Sequence, residues 1–356
     1  MPRNILITGG AGFVGSNLAI SFRSRFPDSD VLALDNLKRR GSELNLPRLK
    51  KNGVRFVHGD VRNPEDLDLG GFRPDLLIEC SAEPSVLAGI NSSARYSVNT
   101  NLMGTINCME AARRWASDIL FLSTSRVYPI EKLNSLKYEE NGTRFELAQR
   151  QEIRGASGDG ITHEFPLDGC RSLYGATKLS SELFLEEYSR LYGLRYAIIR
   201  AGVVAGPWQM GKVDQGVFVH WMASHYFRKD LSYFGYGGRG LQVRDLLHID
   251  DLYRLIEEMA GKMDLYNGKV FNAGGGRGVS LSLREATGLC AGITGNRLEI
   301  KGVKEERPAD VRIYITDLRP IKDFSAWAPQ KNAETILKDI FRWINENEDD
   351  VKTALF

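Results

Sequence analysis

The chain is poor in cysteine, in histidine and in any excess of charge, and each shortage excludes a class of protein. Four cysteines, Cys80, Cys108, Cys170 and Cys290, are scattered over 356 residues. That scatter offers neither a disulfide framework nor a CxxC pair for zinc, and it suits a reducing cytoplasm. The five histidines form no HExxH, so no metal site is expected. Lysine and arginine number 47 against 45 acidic residues, a net charge of +2, so no overall field draws the chain to nucleic acid or to an anionic membrane. Lys38-Arg39-Arg40 and Lys50-Lys51 read as solvated faces or local contacts. No stretch reaches the ~20 apolar residues of a membrane helix. The N-terminus enters an apolar strand after three residues, without a charged leader, long apolar run and cleavage site. A cytoplasmic protein without a membrane or nucleic-acid partner is expected. With 42% hydrophobic and 26% charged residues, and no internal repeat or low-complexity linker, the composition is that of one large domain plus a smaller lobe.

What is present begins with Asn4-Ile-Leu-Ile-Thr8, an apolar run without polar alternation, as a strand buried on both faces would read. Gly9-Gly-Ala-Gly12-Phe-Val-Gly15 follows at once, then the helix-compatible Ser16 to Ile20. Glycines at 9, 12 and 15 suit a tight turn, the approach of a pyrophosphate to the backbone, and close packing of helix on strand. The next strand, Val31 to Leu34, ends in Asp35, 35 − 15 = 20 residues beyond the last glycine. A carboxylate there binds an adenosine ribose and repels a 2′-phosphate, which favours NAD over NADP; a strand-end cap is the structural alternative. Further strand-like runs lie at 55–60, 76–80, 119–123, 196–200 and 269–273, with helical candidates at 102–115 and 174–192 between them. Such alternation predicts an α/β fold, a doubly wound parallel Rossmann sheet with ligands beyond the carboxyl ends of its strands. Asp60, Ser81 to Ser85, Thr124 and Ala201 to Gly206 fall at such ends. From Ala201 the alternation loosens, which suggests the smaller α/β C-terminal substrate lobe: 1–200 and about 241–274 form the NAD-binding domain, 201–240 and about 275–356 the lobe. Ile336, Leu337, Ile340, Phe341 and Ile344 read as an amphipathic helix, and Glu346 to Asp350 as a solvated tail.

The segment Arg171-Ser-Leu-Tyr174-Gly-Ala-Thr-Lys178 carries the chemistry. On a helix, Tyr174 and Lys178 lie four residues apart on one face. A phenol titrates near pH 10 and needs a fixed positive neighbour before it can act as a base at neutral pH, and Lys178 is placed to be that neighbour. Surface helices carry the same spacing by chance. Leu179, Leu183, Tyr188 and Leu191 mark one face of this helix for burial against the sheet or a partner subunit. The 174 − 128 = 46 positions from Tyr128 to Tyr174, rich in charge and glycine, suggest a lid or wall over the ligand.

Taken together, Thr8-Gly-Gly-Ala-Gly-Phe-Val-Gly15, Asp60-Val61, Ser123-Thr124 before Val127-Tyr128, Tyr174-Gly-Ala-Thr-Lys178 and Arg244-Asp-Leu-Leu-His248 resemble the extended short-chain dehydrogenase/reductase family, in its nucleotide-sugar epimerase and dehydratase branch. Nearly the whole chain is covered. Asp35 to Asn45, His58 to Asn63, Gly206 to Phe218 and Gln242 to His248 are most similar to the CDP-paratose (CDP-tyvelose) 2-epimerase group. The resemblance implies NAD held by Gly9, Gly12, Phe13, Val14, Asp35, Asn36, Asp60, Val61, Ser81, Ala82, Asn99, Ser123, Tyr174 and Lys178. It implies catalysis by Thr124, Tyr174 and Lys178: the Tyr174 phenolate takes the proton of a sugar hydroxyl while its carbon is oxidised, and the keto-sugar is reduced again on its other face. A nucleotide-sugar substrate and a homodimer are implied as well.

Substrate contacts are expected from Glu83, Arg126, Gln209, Gln215, Arg244 and Arg307. The two last-named arginines suit a pyrophosphate, with ion pairs to Asp245 or Asp310 as the structural alternative. Trp208 to Gln215 would read the nucleobase, unless Trp208 is core. Related 4,6-dehydratases carry an Asp-Glu pair directly after the threonine, where this chain has Ser125 and Arg126, so elimination of water is disfavoured. Many relatives carry a histidine near the end of the fourth strand. This chain has Glu79-Cys80-Ser81-Ala82-Glu83, whose carboxylates either meet backbone amides or, for Glu83, face the ligand. A UDP- or GDP-sugar 4-epimerase or 4,6-dehydratase and a non-catalytic NAD-binding scaffold are the other readings.

Overall fold

Strands that are apolar throughout must be covered on both faces, and that covering organises the first half of the structure. The protein is described here by a computed structural model covering residues 1–90, 92–212 and 215–356. It divides into two compact units: 1–127, 173–200 and 252–271 form the first, and 128–172, 201–251 and 272–356 the second.

The first unit is built on strands β1 (Asn4–Thr8), β2 (Asp30–Asp35), β3 (Arg55–His58), β4 (Leu76–Glu79), β5 (Asp118–Thr124), β6 (Tyr196–Ala201) and β7 (Lys269–Ala273), in the order β7-β6-β5-β4-β1-β2-β3. The pairings from β3 through β5 are parallel. Ile5 to Ile7, Val31 to Leu34 and Leu76 to Ile78 are at most 1% exposed, each buried side chain contributing roughly 1.5–3 kcal/mol. The order reverses between β4 and β1, the switch point outside which ligands bind in such sheets. Helix α1 (Phe13–Arg25) follows β1, α2 (Asn45–Lys51) precedes β3, α3 (Gly104–Trp115) precedes β5, and α4 (Leu173–Tyr192) precedes β6. A π-helical turn, Asn99–Met103, leads into α3. The inner face of α4 is small and polar, with Gly175, Thr177, Lys178, Ser181 and Glu182 buried beside Leu185. Of the residues expected to share a buried face, Leu179 and Tyr188 are half-buried, Tyr188 packed against the core of this unit, whereas Leu183 is 56% and Leu191 66% exposed.

In the second unit, Val203–Ala205, Val243–His248, Ser280–Ser282 and Ile313–Tyr314 form a four-stranded sheet. The helix Leu283–Thr294 starts on a capping box made by Ser282 and Glu285. The amphipathic helix spans Ala333–Glu346, capped by the Asn332 side chain, with Ile336, Leu337, Ile340, Trp343 and Ile344 inside. The residues expected as a solvated tail, Glu346 to Asp350, are exposed apart from the half-buried Asn347; they close one helix and open another, Glu348–Leu355, whose Val351 is buried. The polar segment before Tyr174 is anchored. Its hairpins, Tyr138–Asn141 with Arg144–Leu147 and Ala156–Ser157 with Gly160–Ile161, bury Phe145, Leu147 and Ile161 and bond to the backbone at Leu241 and Ile315. Among the described residues no helix is long and apolar enough to cross a membrane.

Asp245 in Val243–His248 is wholly buried, one oxygen accepting from the amides of Thr316 at 3.0 Å and Gly276 at 3.2 Å. Burial pushes its carboxyl up to about 6, against the pull of those donors. Between about pH 4 and pH 6 the folded chain thus holds a proton that the unfolded chain releases, and stability falls as pH rises through that window. Asp245→Asn should remove roughly 2–3 kcal/mol of that fall. Denaturant melts at pH 4 and pH 6 measure it, and an unchanged slope in the variant would count against the assignment.

Candidate active site

The turn between β1 and α1 leaves no room for side chains. Gly9 has φ +62°, and a Cβ on Gly10 would lie 2.6 Å from that of Ala33. On Gly15 it would lie 2.2 Å from the Gly9 carbonyl oxygen. Gly12 caps α1 without any side-chain hydrogen bond, and the first turn carries no acidic residue. Backbone amides at the positive end of a helix dipole are thus left to an anion. The cradle fits the pyrophosphate of a dinucleotide, and Phe13 and Val14 form its helical rim. α2 braces it: Asn45 donates to the Ala11 carbonyl at 2.9 Å, and Arg48 donates to Ser16 Oγ at 3.3 Å.

Asp35 ends β2 and accepts from the amides of Leu37 at 2.8 Å and Ala11 at 3.1 Å. Burial pushes its carboxyl up, and these amides partly offset the rise. Asp35 thus forms the strand-end cap that the sequence offered as its structural alternative. Asn36 donates to Asp60 at 2.8 Å, and Arg62 Nε approaches the same carboxylate at 2.9 Å. Burial alone would raise Asp60, yet the Arg62 guanidinium and the Asn36 amide outweigh it and hold the group down to about 2. Val61 is buried, and its carbonyl accepts from Asn107 at 2.9 Å.

At the end of β4, Glu79 accepts from the Ser81 amide at 2.9 Å. Glu83 accepts from the Ser85 amide at 3.2 Å. Both carboxylates thus meet backbone amides. Ser81 is buried and Ala82 half-buried. Asn99 is exposed at the start of the π turn. Two residues on, Asn101 is fully buried: its Oδ1 accepts from the Glu83 amide at 2.7 Å, and its Nδ2 donates to the Glu83 carbonyl at 3.1 Å and Thr177 Oγ1 at 3.2 Å. Asn101 thus ties the strand-end loop to α4, a role the sequence reading missed. The only signal for it is an Asn two residues from the position expected.

α4 starts one residue before Tyr174, which is half-buried, and brings Lys178 one turn further on, 1% exposed. Lys178 Nζ lies 3.5 Å from Glu79 Oε2 and 4.4 Å from the centre of the Phe121 ring. Burial pushes the Glu79 carboxyl up, and the Lys178 ammonium and the Ser81 amide pull it back. One turn beyond Lys178, Glu182 accepts from Ser123 Oγ and pairs with Arg200 at 2.6 Å, all three buried. Ser123 is thereby fixed beside Thr124, whose Oγ1 accepts from the Arg126 amide at 3.2 Å. Arg126 is half-buried. The first unit therefore gathers the glycine turn, Asp35, Asp60, Ser81, Thr124 and Lys178 on the strand-end side of one sheet, with Tyr174 at the start of the helix carrying Lys178.

The remaining expected residues lie in the second unit. Arg244 pairs with Asp310 at 2.8 Å, as its structural alternative required. The Arg307 guanidinium sits 3.9 Å above the Phe234 ring. Gln209 donates to the Val204 carbonyl at 3.0 Å, and its buried Oε1 has no hydrogen-bond partner among the described residues. Gln215 exchanges backbone hydrogen bonds with Lys212. Val213 and Asp214, inside the stretch expected at the nucleobase, lie outside the described residues. The Trp208 ring lies 5.9 Å from that of Trp343, so its indole packs on the helix Ala333–Glu346.

The profile of the NAD dependent epimerase/dehydratase family matches residues 5–274. A CDP-paratose 2-epimerase of Salmonella typhi is 30% identical over 347 residues, 95% of this chain and 98% of that protein. Among solved structures, the UDP-glucose 4-epimerase of Thermotoga maritima with UDP-glucose aligns at TM-score 0.76 and 25% identity, covering 97% of this chain and 99% of that one. The UDP-glucuronic acid 4-epimerase of Bacillus cereus, in complex with UDP-glucuronic acid and NAD, aligns at TM-score 0.80 and 23% identity with the same coverage.

Proposed function

Because the chain belongs to the NAD dependent epimerase/dehydratase family and is an NAD-dependent enzyme of that class, we propose that it inverts carbon 2 of a CDP-deoxyhexose, interconverting CDP-paratose and CDP-tyvelose. Bound NAD supplies a reversible hydride acceptor, which lets a sugar hydroxyl pass through a ketone and back. Tyr174 takes the proton from that hydroxyl and returns it to the same oxygen. Lys178 supplies the positive field that favours the phenolate, and Thr124 holds the reacting oxygen through its hydroxyl. The cofactor rests on the Gly9–Gly15 turn with Phe13 and Val14, on Asp35, Asn36, Asp60 and Val61, and on Ser81, Ala82, Asn99, Ser123, Tyr174 and Lys178. Glu83, Arg126, Gln209, Gln215, Arg244 and Arg307 serve the nucleotide sugar. The observation that carries the choice of reaction is Thr124 followed by Ser125 and Arg126 in place of two carboxylates, in a chain 30% identical over its length to a CDP-paratose 2-epimerase.

The test is to incubate the purified protein with CDP-, UDP- and GDP-sugars and follow them by NMR and mass spectrometry. An isomer of unchanged mass, inverted at carbon 2 without accumulation of reduced cofactor, is expected. Loss of one water would overturn the reading in favour of a dehydratase, and inversion at carbon 4 in favour of a 4-epimerase. The reading includes a homodimer, supported by the exposed large apolar side chains of Leu183, Phe184, Leu191 and Tyr192 on α4 and of Met103, the kind of residue that marks an interface when clustered. Sedimentation at micromolar concentration should give a dimer, and a monomer there would sink that part. A cytoplasmic location is included as well, supported by four free thiols.

A further inference from the structure

The reading of Tyr174 as the base assigns a task to Lys178 but none to the carboxylate facing it. Lys178 and Glu79 come from elements 99 positions apart in sequence and meet with exposures of 1% and 0%. The carboxylate is not adaptable. Glu79 closes a wholly buried strand, one of its oxygens accepts from the Ser81 amide at 2.9 Å, and the Thr8 hydroxyl lies 3.5 Å from that same oxygen. The other oxygen is left for Lys178 Nζ. The Phe121 ring, register partner of Glu79 on the neighbouring strand, also lies 4.4 Å from the ammonium, and its π face favours a cation. A buried ammonium is held in place by a counter-ion or lost to neutralisation, and here the counter-ion is on a strand.

We infer that Glu79 is the positioning residue of this site: it holds the Lys178 ammonium against the sheet and offsets part of the positive field that Tyr174 feels. The position of the carboxylate thereby sets how readily the phenolate forms. The other titratable groups near the pair are Cys80, next to Glu79 in sequence, and Cys108 on α3. Burial, and after it the Glu79 charge, pushes both thiols upward, away from titration near neutrality. Glu182, one turn from Lys178, is committed to Arg200 and Ser123. Among the described residues Glu79 is the carboxylate paired with Lys178.

Glu79→Gln keeps the shape and removes the charge. Tyrosinate absorbance, taken as the difference between each protein and its own Tyr174→Phe counterpart, reads the ionisation of this one phenol with no sugar present. The difference signal should appear about one pH unit lower in Glu79→Gln than in the parent, and the acid limb of the epimerisation profile should move the same way. A role confined to packing predicts no shift in either curve, and coincident curves would overturn the inference. Because the optical reading needs no substrate, it stands even if the CDP-sugar assignment fails. Should Glu79→Gln not fold, thermal melts of Glu79→Asp, Lys178→Met and the double variant decide. The double variant should lose less than the sum of the two single losses, and simple additivity would overturn the pairing.

Discussion

Tyr174→Phe should reduce epimerisation by about 10²–10⁴-fold, the range that general acid–base catalysis contributes, while the protein keeps its fold. The substitution removes one oxygen from a half-buried ring at the start of α4, and no hydrogen bond of the inner face of that helix depends on it. Thr177 donates to the Tyr174 backbone carbonyl at 2.8 Å, which phenylalanine retains. Ser181 and Lys178 are held by Asn101, Thr177 and Glu79. The loss should therefore appear in kcat, with the thermal melts of parent and variant coinciding within a few degrees. Activity within tenfold of the parent would remove Tyr174 from the role of base.

The second large effect is expected at Gly15, where local propensity and tertiary packing disagree in sign. Gly15 lies in the first turn of α1, and alanine in a helix is favoured over glycine by roughly 1 kcal/mol. The new Cβ would meet the Gly9 carbonyl oxygen at 2.2 Å and Gly10 Cα at 2.7 Å. Both are backbone atoms of the turn itself, so relief requires moving α1 away from β1 and opening the anion cradle. Packing should win. Gly15→Ala is expected to lose NAD on purification or to bind it at least tenfold more weakly, and to melt several degrees lower. Calorimetric titration with NAD and a thermal melt measure the two effects. A variant that binds as tightly and melts higher would show that propensity decides, and that the cradle tolerates a side chain.

Much of the first unit was legible because its signals are local. β1, β2 and β4 are short apolar runs bounded by polar or glycine residues, and an uninterrupted apolar run has one stable fate, burial on both faces. The glycine turn could be read in part for the same reason, since Gly15 meets Gly9 within seven residues, whereas the clash of Gly10 with Ala33 arises only in the folded sheet. The short helix Glu348–Leu355 gives no such signal, because its apolar residues are few.

α4 separates what the two levels decide. By itself the sequence determined that Tyr174 and Lys178 share a helix face, because a period of 3.6 residues leaves them no other arrangement. It determined the strand runs, the turn and the missing acids after Thr124 in the same way. Only the tertiary structure decided that the inner face of α4 is its polar one, with Leu183, Phe184 and Leu191 outside. Only the tertiary structure paired Lys178 with Glu79 across 99 positions, Glu182 with Ser123 across 59, and Asn101 with Thr177 across 76. The physical reason is that such partners are chosen by desolvation. A buried charge or amide takes whichever complementary group the folded sheet brings within reach, and nothing in the residues flanking either partner specifies which group that will be.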